Sequence, residues 1–182
     1  MSEDFEVDPI WERENQKKRK KGGPKGKRGE RLLVDILNKR FEKLLSAHPD
    51  WGNFHRSIGS GNRWSQAKLS DAAHQVFSSD VVCENCLFAI ESKFGYDHIN
   101  FDQACKKGNK QLDRFIEQVT EDGIRTNKIP LLIWKKTGKD QLAFLKGFDA
   151  SSFSYSTKYK EWTVVLLKEL LEKRPDSFFF AL

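Results

Sequence analysis

The sequence predicts one mixed α/β domain preceded by a basic segment. The chain has 182 residues, a length typical of a single domain, and 38% of them are hydrophobic, including 14 Phe and 5 Trp. Helical and strand-like apolar patterns alternate along it, as in an α/β fold. No run approaches the roughly 18 apolar residues of a membrane span, so no membrane association is expected. Three Cys residues without a disulfide-like spacing favour an intracellular environment.

The first predicted helix covers residues 30–46. Its apolar residues recur close to the 3.6-residue period of a helix, and Pro49 and Gly52 are expected to end it. Residues 53–58 are a candidate for a short extended segment. A weak helix is expected at most over residues 70–76.

The sequence in the middle of the chain predicts a β-hairpin and a second helix. The two strands of the hairpin are residues 80–83 and 87–94, joined by a turn at Glu84 and Asn85. The helix covers about residues 100–120, with a break expected at Gly108.

The C-terminal part predicts three further strands and a helix. The strands are residues 129–134, 141–146 and 161–165, with a serine-rich loop at 151–156 and a helix at 166–173. The apolar tail at 178–180 packs on the core or contacts another subunit, and packing is favoured.

The positive charge is concentrated near the N-terminus. Of a net charge of +6, residues 1–16 carry −5 and residues 17–31 carry +8, which leaves +3 for the rest. Because glycines and Pro24 disfavour a helix, residues 1–28 are predicted to be a flexible arm and residues 29–182 the folded domain. The arm can bind nucleic-acid phosphates, or it can be a solvated tail or a localisation signal. Phosphate binding is favoured.

Two carboxylates and a lysine stand out in the predicted hairpin. Glu91 and Lys93 point to the same face of a strand, and charged side chains there need partners. If the hairpin pairs as predicted, Asp80 lies beside Glu91. Mg²⁺ or Mn²⁺ would relieve the repulsion between the carboxylates, and the ammonium could stabilise charge on a phosphate. The alternatives are a surface salt bridge, contributing ~0–1 kcal/mol, and Asp71 as the first acid.

Four segments occur in one order along the chain. They are GERLLVDIL from Gly29, HRSIGSG from His55, SDVV followed by FAIESK, and KQL from Lys110 ahead of IPLLIW. Together they resemble the PD-(D/E)xK nuclease superfamily, especially archaeal-type and phage Holliday-junction resolvases. The similarity covers about residues 29–134. Ser79 stands at the position of the proline in the family's name, a minor departure because that position varies.

The resemblance implies a restriction-endonuclease-like fold, which is a mixed β-sheet flanked by helices, and a metal-dependent active site. The metal ligands that it implies are Asp80, Glu91 and the main-chain carbonyl of Ser92. Lys93 would orient water or stabilise the transition state. Glu30 would hold a metal-bound water or a second metal ion, and Gln111 would position water or the lysine.

Basic and polar residues in the arm and around the site are expected to contact DNA. They are Lys17, Lys18, Arg19, Lys20, Lys21, Lys25, Lys27, Arg28, Arg56, Ser57, Ser60, Arg63, Lys68 and Lys110. Such groups hold phosphates without reading bases, which fits recognition of branched DNA by its shape. Two strands of a junction must be cut, so a homodimer is expected.

Cys83 and Cys86 form a CxxC pair that could bind zinc, with Cys105 and His98 as candidate partners. The remaining ligands of such a site are scattered, so packing of small side chains is favoured and zinc is the less favoured alternative.

The sequence therefore predicts a Mg²⁺- or Mn²⁺-dependent endodeoxyribonuclease in a prokaryotic or phage-infected cell. Its expected substrate is a Holliday junction or other branched DNA. The alternatives are a sequence-specific restriction-type nuclease with the same core and a non-catalytic DNA-binding protein that uses the arm.

Overall fold

The computed structural model describes residues 23–57 and 79–182, which form a seven-stranded mixed β-sheet flanked by helices. The helices are α1 (Gly23–Ala47), α2 (Phe101–Lys107), α3 (Lys110–Thr126), α4 (Leu167–Lys173) and α5 (Asp176–Phe179), and a 3-10 turn covers Pro49–Trp51. The strands are β1 (His55–Arg56), β2 (Val81–Val82), β3 (Phe88–Phe94), β4 (Ile129–Lys135), β5 (Gln141–Lys146), β6 (Ser156–Tyr159) and β7 (Trp162–Leu166). This architecture confirms the predicted restriction-endonuclease-like fold class.

The strand order is β1-β2-β3-β4-β5-β7-β6, and only β3 and β4 pair in parallel within the described sheet. A parallel pair needs a crossover connection, and here α2 and α3 supply it. The C-terminal ends of β3 and β4 therefore lie at the same edge of the sheet.

Both faces of the central strands are covered. On one face α1 and α4 pack against Ile90, Leu131 and Ile133. On the other face α2 and α3 pack against Leu132 and Trp134. Neighbouring residues of a strand point to opposite faces. Because both faces of β4 are covered, apolar residues are needed at successive positions, and this explains the continuous apolar run at residues 129–134.

The first helix begins at Gly23, earlier than the predicted start at residue 30. The expectation that glycines and Pro24 exclude a helix is therefore wrong for residues 23–28. A proline in the first turn of a helix loses no hydrogen bond, and an interior glycine costs only about 1 kcal/mol relative to alanine. Gly29 in addition lies so close to Phe94 that a larger residue would not fit.

The predicted hairpin is confirmed by the antiparallel pairing of β2 and β3, and the predicted break at Gly108 separates α2 from α3. The Asn109 side chain caps α3 by accepting from the N–H groups of Gln111 and Leu112. The described part of the extended candidate at 53–58 forms β1, whereas residues 70–76 lie outside the described ranges.

Strand β6 lies partly in the predicted serine-rich loop, so that prediction is wrong at Ser156. Of its four residues only Tyr159 is buried, because β6 is an edge strand that pairs with β7 alone. A mostly polar edge strand lacks the apolar alternation that identifies a strand in sequence.

The C-terminal tail packs on the core, as favoured from the sequence. Phe179 and Phe180 are buried, and both rings lie 5.0 Å from the ring of Phe41 on α1. Phe180 also forms an isolated β-bridge with Cys86. Among the described helices, none is both long and apolar enough to span a membrane.

Candidate active site

The pairing of β1, β2 and β3 brings Ser57, Asp80 and Glu91 to one level of the sheet. Val81 lies opposite Ile90, so the antiparallel register places Asp80 opposite Glu91. The Ser57 N–H donates to the carbonyl oxygen of Asp80 at 3.0 Å. The Ser92 N–H donates to Oδ2 of Asp80 at 3.0 Å. The expected proximity of Asp80 to the Glu-x-Lys segment is therefore present in the fold.

Glu91 is almost completely enclosed, with 1% of its surface exposed. Its Oε1 accepts hydrogen bonds from Nζ of Lys93 and from Nε2 of Gln118, the latter at 2.7 Å. Its Oε2 is buried and has no hydrogen-bond partner among the described residues. A buried carboxylate oxygen without a partner is costly, so this atom is a candidate ligand for a bound cation.

Burial raises the pKa of Glu91 well above its usual value, and the neighbouring charge of Asp80 raises it further, while Lys93 opposes both effects. Burial by itself lowers the pKa of Lys93, but the charges of Glu91 and Asp80 raise it more, and the side chain remains an ammonium. With both carboxylates ionised, two negative charges face one positive charge in a desolvated site. Additional positive charge would stabilise the ionised forms.

Helix α3 contributes one face to this site. Phe115, Gln118 and Asp122 are three and four residues apart, so they are neighbours on the helix surface. Nζ of Lys93 lies 5.4 Å from the centre of the Phe115 ring. Gln118 donates to Glu91, and the charges of Asp80 and Lys93 both influence Asp122.

Asp122 is a buried carboxylate whose Oδ2 also has no hydrogen-bond partner in the described structure. Burial raises its pKa to about 6, although Arg125, 3.5 Å from its Oδ1, acts in the opposite direction. Neither Gln118 nor Asp122 is predicted from the sequence. The available signal for Asp122 was its position on the face of α3 that Phe115 and Val119 make apolar, where a polar side chain needs a buried partner.

Gln111 lies in the first turn of α3, about two helical turns before Gln118, and Gln118 is the amide side chain that α3 places on Glu91. The role predicted for Gln111 remains untested.

Glu30 is a buried carboxylate on α1, and its Oε2 accepts a hydrogen bond from Nε of Arg56 at 2.6 Å. Helix α1 packs on the sheet face opposite to α3, whereas Glu91 and Lys93 point toward α3. The role predicted for Glu30 at the metal remains a prediction.

The predicted DNA contacts are only partly within the described ranges. Lys27 and Arg28 are exposed on α1, Lys110 is exposed at the start of α3, and Ser57 is buried beside Asp80. Lys25 lies in α1. Outside the described ranges are Lys17, Lys18, Arg19, Lys20, Lys21, Ser60, Arg63 and Lys68.

The CxxC pair occupies the turn between β2 and β3. Both thiols are buried, and burial raises the pKa of Cys83 and raises that of Cys86 to about 12. The Cys83 thiol lies near the main-chain carbonyls of Trp51 and Gly52. A thiolate, the form that binds metals, is therefore disfavoured at both positions.

The residues present fit a divalent cation that prefers oxygen ligands. Asp80 and Glu91 are adjacent carboxylates, and the orphaned Oε2 of Glu91 is an acceptor that a cation would satisfy. Within residues 23–57 and 79–182, no group of three or more His, Cys, Asp or Glu side chains is arranged to hold a metal.

A mixed sheet that carries an aspartate beside a Glu-x-Lys segment defines a nuclease of the PD-(D/E)xK class. Residues 21–177 match the family model described as "Phage putative PDDEXK endonuclease". The chain belongs to this family, which confirms the superfamily resemblance and supports a nuclease acting on DNA. Neither a search of curated proteins nor a search of solved structures found a match.

Proposed function

We propose that this chain is a Mg²⁺- or Mn²⁺-dependent endodeoxyribonuclease that selects branched DNA, such as a Holliday junction, by its structure. The observation that carries the proposal is the convergence of Asp80, Glu91 and Lys93 around a buried carboxylate oxygen that lacks a partner. Family membership supports the nuclease class. The selectivity for branched DNA and the identity of the metal are parts of the proposal.

In this proposal Asp80, Glu91 and the main-chain carbonyl of Ser92 hold the cation. When bound, it would supply Lewis-acid stabilisation of phosphate charge and lower the pKa of a nearby water. Lys93 keeps its proton and offers a fixed positive charge to the phosphate as charge develops on it. Gln118 holds Oε1 of Glu91, and this contact leaves Oε2 for the cation.

The test is cleavage of labelled four-way junction, linear duplex and single-stranded DNA, with and without Mg²⁺ or Mn²⁺. We expect wild-type protein to cut the junction in the presence of metal. The variants Asp80→Asn and Lys93→Gln should lose at least about 100-fold in rate and still bind DNA. Lys168→Gln is the matched control, because Lys168 is 85% exposed on α4 and is engaged only in an i,i+4 pair with Glu172.

Each rival function predicts a different result in this assay. Cleavage of linear duplex at fixed sequences would indicate a restriction-type nuclease. Folded wild-type protein that binds DNA and cuts none of the substrates would contradict the enzyme proposal and favour a non-catalytic binding protein. Full activity in Asp80→Asn would show that the active site lies elsewhere.

A homodimer is part of the proposal, because symmetric cutting of a junction requires two active sites. The packing of Phe179 and Phe180 on the core of the same chain excludes those two rings as a free interface. Sedimentation of the protein alone and with junction DNA would establish the subunit number. A single copy on the junction would contradict the dimer.

The basic arm is proposed to bind phosphates. Replacing Lys17, Lys18, Arg19, Lys20 and Lys21 with glutamine spares α1, which begins at Gly23. Each lost phosphate contact should reduce the slope of log K against log salt by about 0.9 on duplex arms. An unchanged slope would show that these residues do not contact the DNA backbone.

A further inference from the structure

The second residue after the active-site strand is an exposed aromatic in an unusual backbone conformation. Two residues beyond Lys93, Gly95 has φ +91°, and Tyr96 follows with φ +57°. A bulky residue in the left-handed region is uncommon and unfavourable. The Tyr96 side chain is nevertheless placed here with 39% of its surface exposed.

Tyr96 lies against the same ring as the active-site lysine. Its ring centre is 4.7 Å from that of Phe115, in an edge-to-face arrangement, and Nζ of Lys93 is 5.4 Å from the Phe115 centre. Phe115 therefore contacts both the ammonium and the tyrosine ring, on the α3 face of the sheet.

The loop that carries Tyr96 is fixed by hydrogen bonds at both ends. The Gly95 N–H donates to the Lys135 carbonyl at 2.8 Å, and the Gly95 carbonyl accepts from Nε1 of Trp134 at 3.2 Å. The Tyr96 carbonyl accepts from the Ile99 N–H at 3.0 Å.

Further along the same loop, both carboxylate oxygens of Asp97 accept from Thr137 at 2.8 Å, and Nζ of Lys136 donates to the Ile99 carbonyl at 2.8 Å. These contacts hold the ring in place before any ligand arrives. A preorganised aromatic loses little conformational freedom on binding.

Packing alone gives a weaker account of this residue. The ring packs edge-to-face on Phe115 and lies 6.4 Å from the ring of His98. An asparagine would nevertheless suit the backbone better, as it does at Asn127, which caps α3 with φ +53°. A half-exposed ring beside an active-site ammonium is suited to a planar ligand. In DNA that ligand is a nucleobase.

We propose that Tyr96 stacks on an unpaired base of the nucleotide next to the phosphate that is cut. The inference rests on the proposed nuclease function and refines its substrate: a base inside a duplex has both faces covered by its neighbours, whereas a base left unpaired at a branch point, as in a fork, has a free face. Selection of branched DNA with such unpaired bases then follows from this contact and does not require base-specific hydrogen bonds.

The test uses full-length protein in EDTA and a forked oligonucleotide with 2-aminopurine placed in turn at each unpaired position next to the fork. Stacking quenches the probe's fluorescence. Tyr96→Phe keeps the ring, whereas Tyr96→Asn removes it and suits the backbone, and a thermal melt checks that both variants are folded. A matched duplex with the same probe is the control substrate.

We expect wild type and Tyr96→Phe to quench the probe at one position and to bind the fork with equal affinity. Tyr96→Asn should leave the probe bright and bind the fork about 10-fold more weakly, with duplex binding unchanged. The inference would be overturned if Tyr96→Asn quenched the probe as strongly as wild type does, or if wild type did not quench it. An equal loss of affinity for the duplex in Tyr96→Asn would overturn it as well. Because the assay requires no cleavage, quenching by a wild type that never cuts DNA would refute the nuclease proposal and leave the stacking contact standing.

Discussion

The contact between Gly29 and Phe94 fixes helix α1 against the active-site strand. A Cβ at position 29 would lie 2.4 Å from Cβ and 2.8 Å from Cγ of Phe94. Both distances are far below van der Waals contact, and neither atom is at the free end of a flexible side chain. Gly26 lies one turn earlier in α1, where an added Cβ meets nothing within 4 Å. The same substitution at the two positions therefore separates a steric effect from a helix-propensity effect.

Alanine should have opposite effects at the two sites. Gly26→Ala should raise the free energy of unfolding by about 0.5–1 kcal/mol, because alanine has less backbone freedom to lose on folding. Gly29→Ala gains the same amount of stability from reduced backbone freedom. Its added Cβ also forces α1 away from β3, and this overpacking costs about 1–3 kcal/mol. We therefore expect Gly29→Ala to be less stable than Gly26→Ala by about 1–3 kcal/mol. In a chain of this size each kcal/mol corresponds to about 2–4 °C in Tm.

Urea denaturation of both variants and of wild type measures this difference directly. Phe94 follows Lys93 in β3, so DNA cleavage should fall in Gly29→Ala and remain at the wild-type level in Gly26→Ala. If Gly29→Ala proved as stable and as active as Gly26→Ala, α1 would not pack on β3 through this contact.

Two further substitutions test the α3 face of the site. Gln118→Ala should raise the Mg²⁺ concentration needed for cleavage about 10- to 100-fold, because it removes a hydrogen bond that orients Glu91. Gln111→Ala is the comparison, and a larger effect there would favour the role predicted from the sequence. The pKa of Asp122 is raised to about 6, so the folded state binds more protons than the unfolded state between about pH 4 and 6, and stability falls as pH rises through that window. Asp122→Asn should reduce this fall in urea denaturation in EDTA at pH 4.5 and 7.5, while the raised pKa of Glu91 sustains the remainder. An unchanged difference between the two pH values would refute the assignment.

The sequence predicted the parts of this fold that local patterns determine. Period-two alternation placed Glu91 and Lys93 on one face, and the hairpin placed Asp80 beside them, because both rules depend only on neighbouring residues. The strand at residues 129–134 was visible because both of its faces are buried.

Contacts that depend on packing were not visible in the sequence. Gln118 contacts Glu91 although the two are 27 positions apart in the sequence, so its role depends on how α3 crosses the sheet. The left-handed backbone at Tyr96 has no local signal, since tyrosine is not a residue that favours it. Strand β6 has a mostly polar sequence, and it forms because its backbone pairs with that of β7.

Three features of the candidate site lower the stability of the folded state. Glu91 is buried with one unpartnered oxygen, Asp122 is buried with another, and Tyr96 occupies an unfavourable backbone region. Each of these features reduces stability, and features of this kind persist when the surrounding structure compensates for them. Here the compensation comes from β3 and β4, which pair over seven residues and are covered on both faces. Because Glu91, Lys93 and the Tyr96 loop all belong to or follow β3, a central strand that is covered on both faces also positions the proposed chemistry.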